Sequence, residues 1–376
     1  MTMQTQTPQF GRREQAPGAL LEYVPQPGLG GLAIKNFLLK IITLGIYGFW
    51  GKTNVRRHIW SCVKFMGEPL EYTGTGKELF LGMLVVVGII ILPLTIIPLI
   101  IQLTLPEGHY IGVVAQVVQA ILLIYLIGVG IYRARRYRLS RTLWRGIRGT
   151  LTGSPWHFAW RNFWMTFLLP FTFFWSYPWM SMRLNGHITN DTEFGSAPFR
   201  FAGPTGPLYK RFAVLWIGSV AMFGLIALSL WLTSSDDKAS DAADFFSGMT
   251  DETKASLGLA LFFIALPMFF LLISIFRAVY IAGELNHFAK CTEFENIRFS
   301  MDATTLSLIG LAVGNFFILV FSLGIATPFV QQRLIKYMCD HLTLSGALNP
   351  ASIQQSQAEL DKRGEGLAEV FDIDAF

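Results

Sequence analysis

The sequence predicts a mostly α-helical multi-pass membrane protein with four full transmembrane helices in two hairpins, three repeated broken or re-entrant helices, and small β-hairpins on the cytoplasmic side. Three patterns predict it: long apolar stretches whose only charged residue is Arg277, shorter apolar stretches interrupted by glycine or proline, and basic loops between them. Of the 376 residues 52% are hydrophobic and 15% are charged, whereas an average soluble domain has about 25% charged residues. The composition therefore argues against a soluble protein.

Four apolar stretches are long enough to cross a bilayer. They contain no aspartate, glutamate or histidine, and they span residues 81–103, 111–131, 212–232 and 257–280. A helix of about 20 residues is roughly 30 Å long, which is the thickness of the hydrocarbon layer. We expect the first two stretches to form one membrane hairpin and the last two to form another.

Three further apolar stretches are interrupted in the middle, and they span residues 32–50, 156–179 and 306–330. Each contains the pair Asn-Phe, then apolar residues, and then helix breakers, which are Gly45 and Gly48, Pro170 and Pro178, and Gly324 and Pro328. Because glycine and proline kink or end helices, each stretch divides into halves of about ten residues, too short to cross. We predict broken helices that enter the membrane and return.

The amides of these apolar stretches are candidate buried polar residues in the membrane. They are Asn36, Asn162 and Asn315 in the broken helices, and Gln116 and Gln119 on one face of the second predicted span. A buried amide needs a hydrogen-bond partner where water is absent. Two interpretations stay open, since such amides either join helices or line a polar cavity.

Small β-hairpins are predicted where the chain leaves the apolar stretches. Alternating apolar residues on both sides of glycine or asparagine indicate pairs at 63–65 with 70–72, 142–144 with 147, 192–194 with 199–201, and 292–294 with 297–299. Lone strands at 21–23 and 341–344 complete the set. We expect both in the layer of the internal hairpins, paired directly with each other, although pairing with internal hairpins would also cover their edges.

The basic loops predict the orientation. Loops 51–78 and 132–156 are rich in lysine and arginine and should be cytoplasmic, whereas 104–110 and the acidic segment 233–256 should face outwards. This pattern places both termini in the cytoplasm of a bacterium, with the protein in the inner membrane, if the broken helices do not cross. The expected partner is the bilayer, with anionic headgroups contacting the candidate residues Arg56, Arg57, Arg133, Arg135 and Arg136.

The domain organisation follows from the repeats. We predict a flexible N-terminal tail at 1–18, a single membrane domain at 19–348, and a flexible C-terminal tail at 349–376. Within the membrane domain the repeats cover about 20–131, 140–281 and 291–348.

Three segments together resemble the YjgN-like family of bacterial inner-membrane proteins. They read ITLGIYGFWGKTNVRRHIW, EYTGTGKELFLG and KYMCDHLTLSG, and the resemblance covers roughly residues 20–346. It implies a multi-pass membrane protein without an assigned reaction, and it supplies no catalytic residues. The second broken helix departs from the pattern, because Met182 to Asn185 follow it where the first has the pair Arg56 and Arg57.

The sequence contains no recognisable catalytic motif. Residues 74–78 read GTGKE and resemble a phosphate loop, but Glu71 and Glu78 replace its first glycine and its hydroxyl residue. The three cysteines lack the spacing of a zinc site or a disulfide framework. We therefore expect no metal, cofactor or nucleic acid partner. The favoured function is a non-enzymatic scaffold or a lipid- or partner-interacting protein, the alternative is a transporter or channel, and a lipid-modifying enzyme is a third possibility.

Overall fold

The computed structural model describes residues 20–104, 110–233, 249–348 and 353–356, and most of them are helical. The helices are α1 (Leu29–Ile42), α2 (Gly48–Cys62), α3 (Gly76–Val86), α4 (Leu92–Thr104), α5 (Tyr110–Arg141), α6 (Pro155–Phe171), α7 (Tyr177–Asn190), α8 (Gly206–Thr233), α9 (Asp251–Lys290), α10 (Thr305–Phe321) and α11 (Thr327–His341). A π-helical turn, Val87–Ile91, joins α3 to α4. The strands are β1 (Leu21–Tyr23), β2 (Val63–Phe65), β3 (Glu68–Pro69), β4 (Glu71–Tyr72), β5 (Thr142–Trp144), β6 (Ile147–Leu151), β7 (Thr192–Phe194), β8 (Ala197–Phe201), β9 (Thr292–Phe294), β10 (Ile297–Met301) and β11 (Leu342–Ser345).

These elements repeat one unit five times. In each unit a strand leads into a pair of helical arms, and the second arm leads into a strand that pairs antiparallel with the first. Units 1, 3 and 5 have short arms (α1 and α2, α6 and α7, α10 and α11), whereas units 2 and 4 have long ones (α3–α4 and α5, α8 and α9).

An equivalent hydrogen bond closes every unit. The amide that follows the first strand donates to the carbonyl oxygen at the end of the second arm. The pairs are Val24 to Cys62, Thr73 to Arg141, Thr152 to Asp191, Ala202 to Cys291 and Asp302 to His341. The sequence repeats are thus repeats of backbone geometry.

The strands form one layer from which all five units project. Eight strands run in the order β4 to β11, and β1, β2 and β3 form a second sheet beside them. Only Leu70 separates β3 from β4, so the chain passes directly from one sheet to the other. The ring of units closes because α11 packs on α1, α2 and β1, and β11 contacts β1.

Two details of the predicted strand pairing are wrong. Strand β2 pairs with Glu68–Pro69 rather than with 70–72, because Glu71–Tyr72 pairs with β5. The two terminal strands lie in the common layer, as predicted, but β1 pairs with β2 and β11 pairs with β10. Each thereby satisfies its backbone within its own unit, so no direct pairing between the termini is needed.

The short units fold back on themselves as antiparallel helical hairpins. Asn36 of α1 donates to the carbonyl oxygen of Gly51 in α2, 3.3 Å away. The chain reverses at Leu44 and Gly45, at Phe173 and Phe174, and at Leu323 and Gly324, all of which have positive φ. The three turns share the same backbone hydrogen bonds, such as Gly45 to Lys40, Phe174 to Leu169 and Gly324 to Leu319.

The tips of the short hairpins are apolar and exposed. Leu44, Leu323 and Phe173 have exposed fractions of 94%, 89% and 76%. In each turn a hydroxyl also accepts an amide hydrogen bond from four residues later, from Tyr47 to Thr43, from Ser176 to Thr172 and from Ala326 to Ser322. Exposed apolar side chains over a satisfied backbone suit a hydrocarbon environment.

Three helices of the described residues are long and apolar enough to cross a membrane: Gly76–Thr104, Tyr110–Arg141 and Gly206–Leu225. The prediction of a mostly helical chain with membrane-length helices and small β-hairpins is confirmed at this level. The fourth predicted span, 257–280, lies within α9, where many side chains are outside the described part.

Aromatic side chains fill the inside of the strand layer. This aromatic core is a chain of ring contacts that runs from Phe65 through Trp144, Phe194, Phe294 and Phe199 to Phe299. Residues 353–356 pack against it, and Ile353 is only 6% exposed. These four residues belong to the predicted C-terminal tail, whereas 349–352, 357–376 and the predicted N-terminal tail lie outside the described residues.

Candidate functional site

A cavity of 380 Å³ lies where units 5, 1 and 2 meet. Helix α2, the last turns of α5, and α11 surround it, and the strand residues Leu21 and Val63 line it on the side of the strand layer. Four basic residues line it, Lys52, Arg56, Arg135 and Arg138, and no aspartate or glutamate is among its described lining residues. We call it the basic cavity. Its walls are otherwise mostly apolar, with Ile59, Leu139, Ile335 and Met338 among them.

Two arginine pairs occupy equivalent places in units 1 and 2. Arg56 and Arg135 each lie six residues before the carbonyl that closes their unit, and both line the basic cavity. Their neighbours Arg57 and Arg136 instead bind backbone carbonyls of the next unit. Arg57 donates to Tyr72 and Gly74 at 3.4 and 3.2 Å, and Arg136 donates to Leu151 at 2.9 Å and to Gly153.

The five arginines predicted to contact headgroups therefore occupy three environments. Arg56 and Arg135 face the basic cavity, Arg57 and Arg136 hold carbonyl groups, and Arg133 is exposed. Arg56 also donates to the hydroxyl of Tyr72, 3.3 Å away. Arg135 makes no hydrogen bond or ion pair with any described residue. A guanidinium in a mostly apolar wall keeps a large desolvation cost unless an anion compensates it.

A second cavity, of 750 Å³, separates the short hairpins of units 1 and 5. Asn36 and Lys40 line it on one side, and the tip residues Leu44 and Leu323 form part of its wall. We call it the interhairpin cavity. Lys52 and Gln331 line both cavities, so the two spaces adjoin there. The adjoining spaces extend from the exposed tips to the strand layer.

The candidate amides occupy different surroundings. The oxygen Oδ1 of Asn36 is buried without a hydrogen-bond partner among the described residues, and so is that of Asn315. Asn162 packs against α5, because its Nδ2 lies 3.1 Å from the position that a Cβ on Gly128 would occupy. On α5 itself Gln116 is exposed, and Gln119 is half-buried. Of these five residues only Asn36 lines one of the two cavities.

The phosphate-loop-like segment has a structural environment. The hydroxyl of Thr75 caps helix α3 by accepting from the amide of Glu78. The carboxylate of Glu78 accepts from the hydroxyl of Tyr137 at 2.6 Å and pairs with Arg141 at 2.9 Å. Glu78 therefore joins the first arm of unit 2 to its second arm.

At the end of helix α9 a histidine and a cysteine are in contact, a pair that the sequence alone did not predict. His287 and Cys291 lie one helical turn apart, with Nε2 and Sγ separated by 3.7 Å. Burial raises the pKa of the Cys291 thiol, and burial also raises that of Cys339, in the wall of the basic cavity, to about 12. Both thiols are thus protonated at neutral pH and poor nucleophiles. Among the described residues no three His, Cys, Asp or Glu are placed to hold a metal ion.

Comparisons with known proteins agree with a membrane location. A family model described as a bacterial protein of unknown function (DUF898) matches residues 28–370. Over 74 residues the chain is 39% identical to the inner membrane protein YjgN of Salmonella typhimurium strain LT2. That stretch covers 19% of this chain and 19% of the relative. No solved structure matches the chain significantly.

Proposed function

The chain belongs to the DUF898 family and is an integral membrane protein, and from these premises we propose that it binds an anionic amphiphile, with the headgroup in the basic cavity. The resemblance to the YjgN-like family, seen first in three sequence segments, is confirmed by the family match. The proposal makes the protein lipid-interacting and non-enzymatic. The observation that carries it is the junction of an apolar, tip-lined space with a basic one at Lys52 and Gln331.

The proposal includes an arrangement in the membrane. The long arms of units 2 and 4 form four spans in two hairpins, and the short hairpins enter the bilayer from the cytoplasmic side and return. The exposed apolar tips of the short hairpins support this arrangement. The basic loops at the strand layer support a cytoplasmic position for that layer and hence for both termini.

Charge and shape support an anionic headgroup. Four basic side chains and no aspartate or glutamate line the described part of the 380 Å³ cavity, and one of the four, Arg135, makes no hydrogen bond or ion pair with a described residue. A guanidinium binds phosphate or carboxylate with two parallel hydrogen bonds, so Arg135 has the chemistry to bind either. The larger interhairpin cavity has apolar walls, such as Phe37 and Ile41, that suit an acyl chain. An amphiphile would thus reach Arg135 between the hairpins of units 1 and 5.

The test compares two arginines of the same helix. Arg135→Gln removes a charge from the basic cavity, whereas Arg133→Gln removes an exposed charge that lines neither of the two cavities. We expect Arg135→Gln to weaken binding of phosphatidylglycerol at least about tenfold, because a charge-assisted hydrogen bond contributes about 1.5–3 kcal/mol. Arg133→Gln should bind like the wild type.

The measurement is native mass spectrometry of the purified protein in nanodiscs containing phosphatidylglycerol or phosphatidylcholine. Folding of each variant is checked by its melting curve. The proposal fails if Arg135→Gln melts normally and retains phosphatidylglycerol as the wild type does. A second variant, Gly48→Phe, narrows the interhairpin cavity, where a Cβ would meet only the end of Lys40, and it should also reduce binding.

A second candidate function is movement of the amphiphile between the bilayer and the cytoplasmic surface. The adjoining cavities favour it, because they extend from the membrane tips to the strand layer. Proteoliposomes with fluorescent phosphatidylglycerol would test it. Faster transfer of the lipid from the proteoliposomes to added acceptor vesicles with the wild type than with Gly48→Phe supports movement, whereas equal rates leave the protein as a binder or scaffold.

A further inference from the structure

Residues 353–356 bind the strand layer as a short extended peptide. Ile353 enters the aromatic core and contacts the group around Phe294 and Ile297. The next residues lie along the turns of the hairpins β5–β6 and β7–β8. This region of the chain is polar and was predicted to be flexible, so its ordered contacts depend on the surface it meets.

The contacts of Gln355 resemble a pair of strand hydrogen bonds. Its side-chain oxygen Oε1 accepts from the amide of Arg148 at 3.1 Å, and its Nε2 donates to the carbonyl oxygen of Gly146 at 2.6 Å. The guanidinium of Arg148 also donates to the carbonyl oxygen of Ser356, 3.2 Å away. These bonds recognise a glutamine side chain and the extended backbone beside it.

The second hairpin supplies the rest of the surface. The amide of Gln354 donates to the hydroxyl of Ser196 at 3.2 Å. The segment passes very close to the backbone of Gly195, because a Cβ there would collide with the carbonyl oxygen of Gln354 and with the side chain of Ile353. The surface therefore fits an apolar residue, a spacer, a glutamine and a serine in extended conformation.

We propose that the turns of hairpins β5–β6 and β7–β8 form a peptide-binding site whose occupant is the protein's own segment Ile353–Ser356, and that this segment covers the aromatic core of the strand layer. Strand β2 contributes residues to both the basic cavity and the aromatic core. Val63 lines the basic cavity, and Phe65, on the same face of β2, belongs to the aromatic core that receives Ile353. The inference does not depend on the ligand of the basic cavity.

The chain itself is the natural occupant. Strand β11 ends at Ser345, and the eight residue steps to Ile353 reach at most about 29 Å. A tether of this length gives an effective concentration of about the millimolar range, so a weak site is filled in cis. A free peptide must therefore compete with the tethered copy.

The first experiment uses hydrogen exchange in full-length protein. Ile353→Asp and Gln355→Ala should each speed exchange in residues 145–150, since both release the partner of the Arg148 amide. The matched control is Gln354→Ala, which alters an exposed side chain of the same segment and should exchange like the wild type. Equal exchange in all four proteins would overturn the proposal. If Ile353→Asp folds poorly, Gln355→Ala gives the same readout with the core intact.

The second experiment adds a fluorescent peptide with the sequence of residues 350–358. It should bind Ile353→Asp protein at least about tenfold more tightly than wild type, because the tethered copy no longer competes. A peptide with aspartate in place of the isoleucine should not bind. If the native peptide binds neither protein, the surface is not a peptide-binding site.

Discussion

The short hairpins of units 1 and 3 have the same turn and different neighbours. Their tips match in hydrogen bonding, from Gly45 to Lys40 in one and from Phe174 to Leu169 in the other. Yet helix α6 of unit 3 packs closely on α5, whereas α1 of unit 1 borders the interhairpin cavity. The repeat therefore determines the local fold, and the neighbouring helix determines whether a short hairpin packs closely or borders a cavity.

Small residues allow α6 of unit 3 to pack closely on α5. Gly128 of α5 faces Ala159 and Asn162 of α6, and Ala159 is fully buried. Close helix approach over small residues is a usual means of packing in membranes, where apolar burial drives association weakly. Unit 1 has Asn36 at the place of Asn162 and borders open space there.

The second arms of the five units also differ, in the residue at one equivalent position. Six residues before the closing carbonyl stand Arg56, Arg135, Asn185, Leu285 and Ile335 in units 1 to 5. The first, second and fifth of these line the basic cavity. The charge is thus concentrated in two adjacent units of a ring whose backbone repeats five times.

The largest expected effect comes from a substitution that disrupts the close packing of α6 on α5. Gly128→Leu should lower the free energy of unfolding by about 1–3 kcal/mol, since its Cβ would lie 3.0 Å from the backbone of Ala159. Gly112→Leu is the control, because no atom lies within 4 Å of a Cβ at Gly112 in the same helix. Thermal melting in detergent measures both. Equal melting of the two variants would mean that small residues do not determine the difference between units 1 and 3.

Sequence alone predicted the parts of the fold that depend on local pattern. The breakers at Gly45, Pro170 and Gly324 located the reversals, and the alternation at 292–294 and 297–299 located a hairpin. The five-unit ring was missed, because units 2 and 4 lack the Asn-Phe signature and share only backbone geometry with the others. Direct pairing of the terminal strands was wrong, since each strand has a partner in its own unit.

The candidate site was predicted only in its residue types. Arg56 and Arg57 are adjacent and chemically identical, so no local pattern tells which faces a cavity and which binds Tyr72 and Gly74. Which arginine faces inwards depends on helix rotation relative to neighbours far along the chain. Arg135 is distinguished from Arg133 for the same reason.

A smaller effect is expected at the glycine turns of units 1 and 5. Gly45→Ala and Gly324→Ala should each lower the free energy of unfolding by about 1–2 kcal/mol, because alanine is strained at φ of 94° and 83°. Gly31→Ala should instead raise it by about 0.5–1 kcal/mol, since Gly31 lies within helix α1 with open space around it. Denaturant unfolding of the three variants measures the difference in sign. Stabilisation by all three would contradict the shared turn geometry.

The smallest effect concerns the turn of unit 3, where a phenylalanine occupies the place of glycine. Phe174 has φ of 63° and donates to Leu169 as Gly45 and Gly324 donate to Lys40 and Leu319. Phe174→Gly should relieve about 1–2 kcal/mol of left-handed strain, while the freer unfolded chain offsets about 0.5–1 kcal/mol.

Phe174→Gly is therefore expected to raise the free energy of unfolding by about 0.5–1 kcal/mol, measured by denaturant unfolding in detergent. Phe171→Gly is the matched control, because Phe171 is also an exposed aromatic residue but ends helix α6 with helical backbone, so its replacement should destabilise. A loss of stability in Phe174→Gly equal to that of Phe171→Gly would show that the aromatic ring outweighs the strain. Unit 3 would then keep its phenylalanine for packing, and its turn would differ from those of units 1 and 5 in energy although it matches them in geometry.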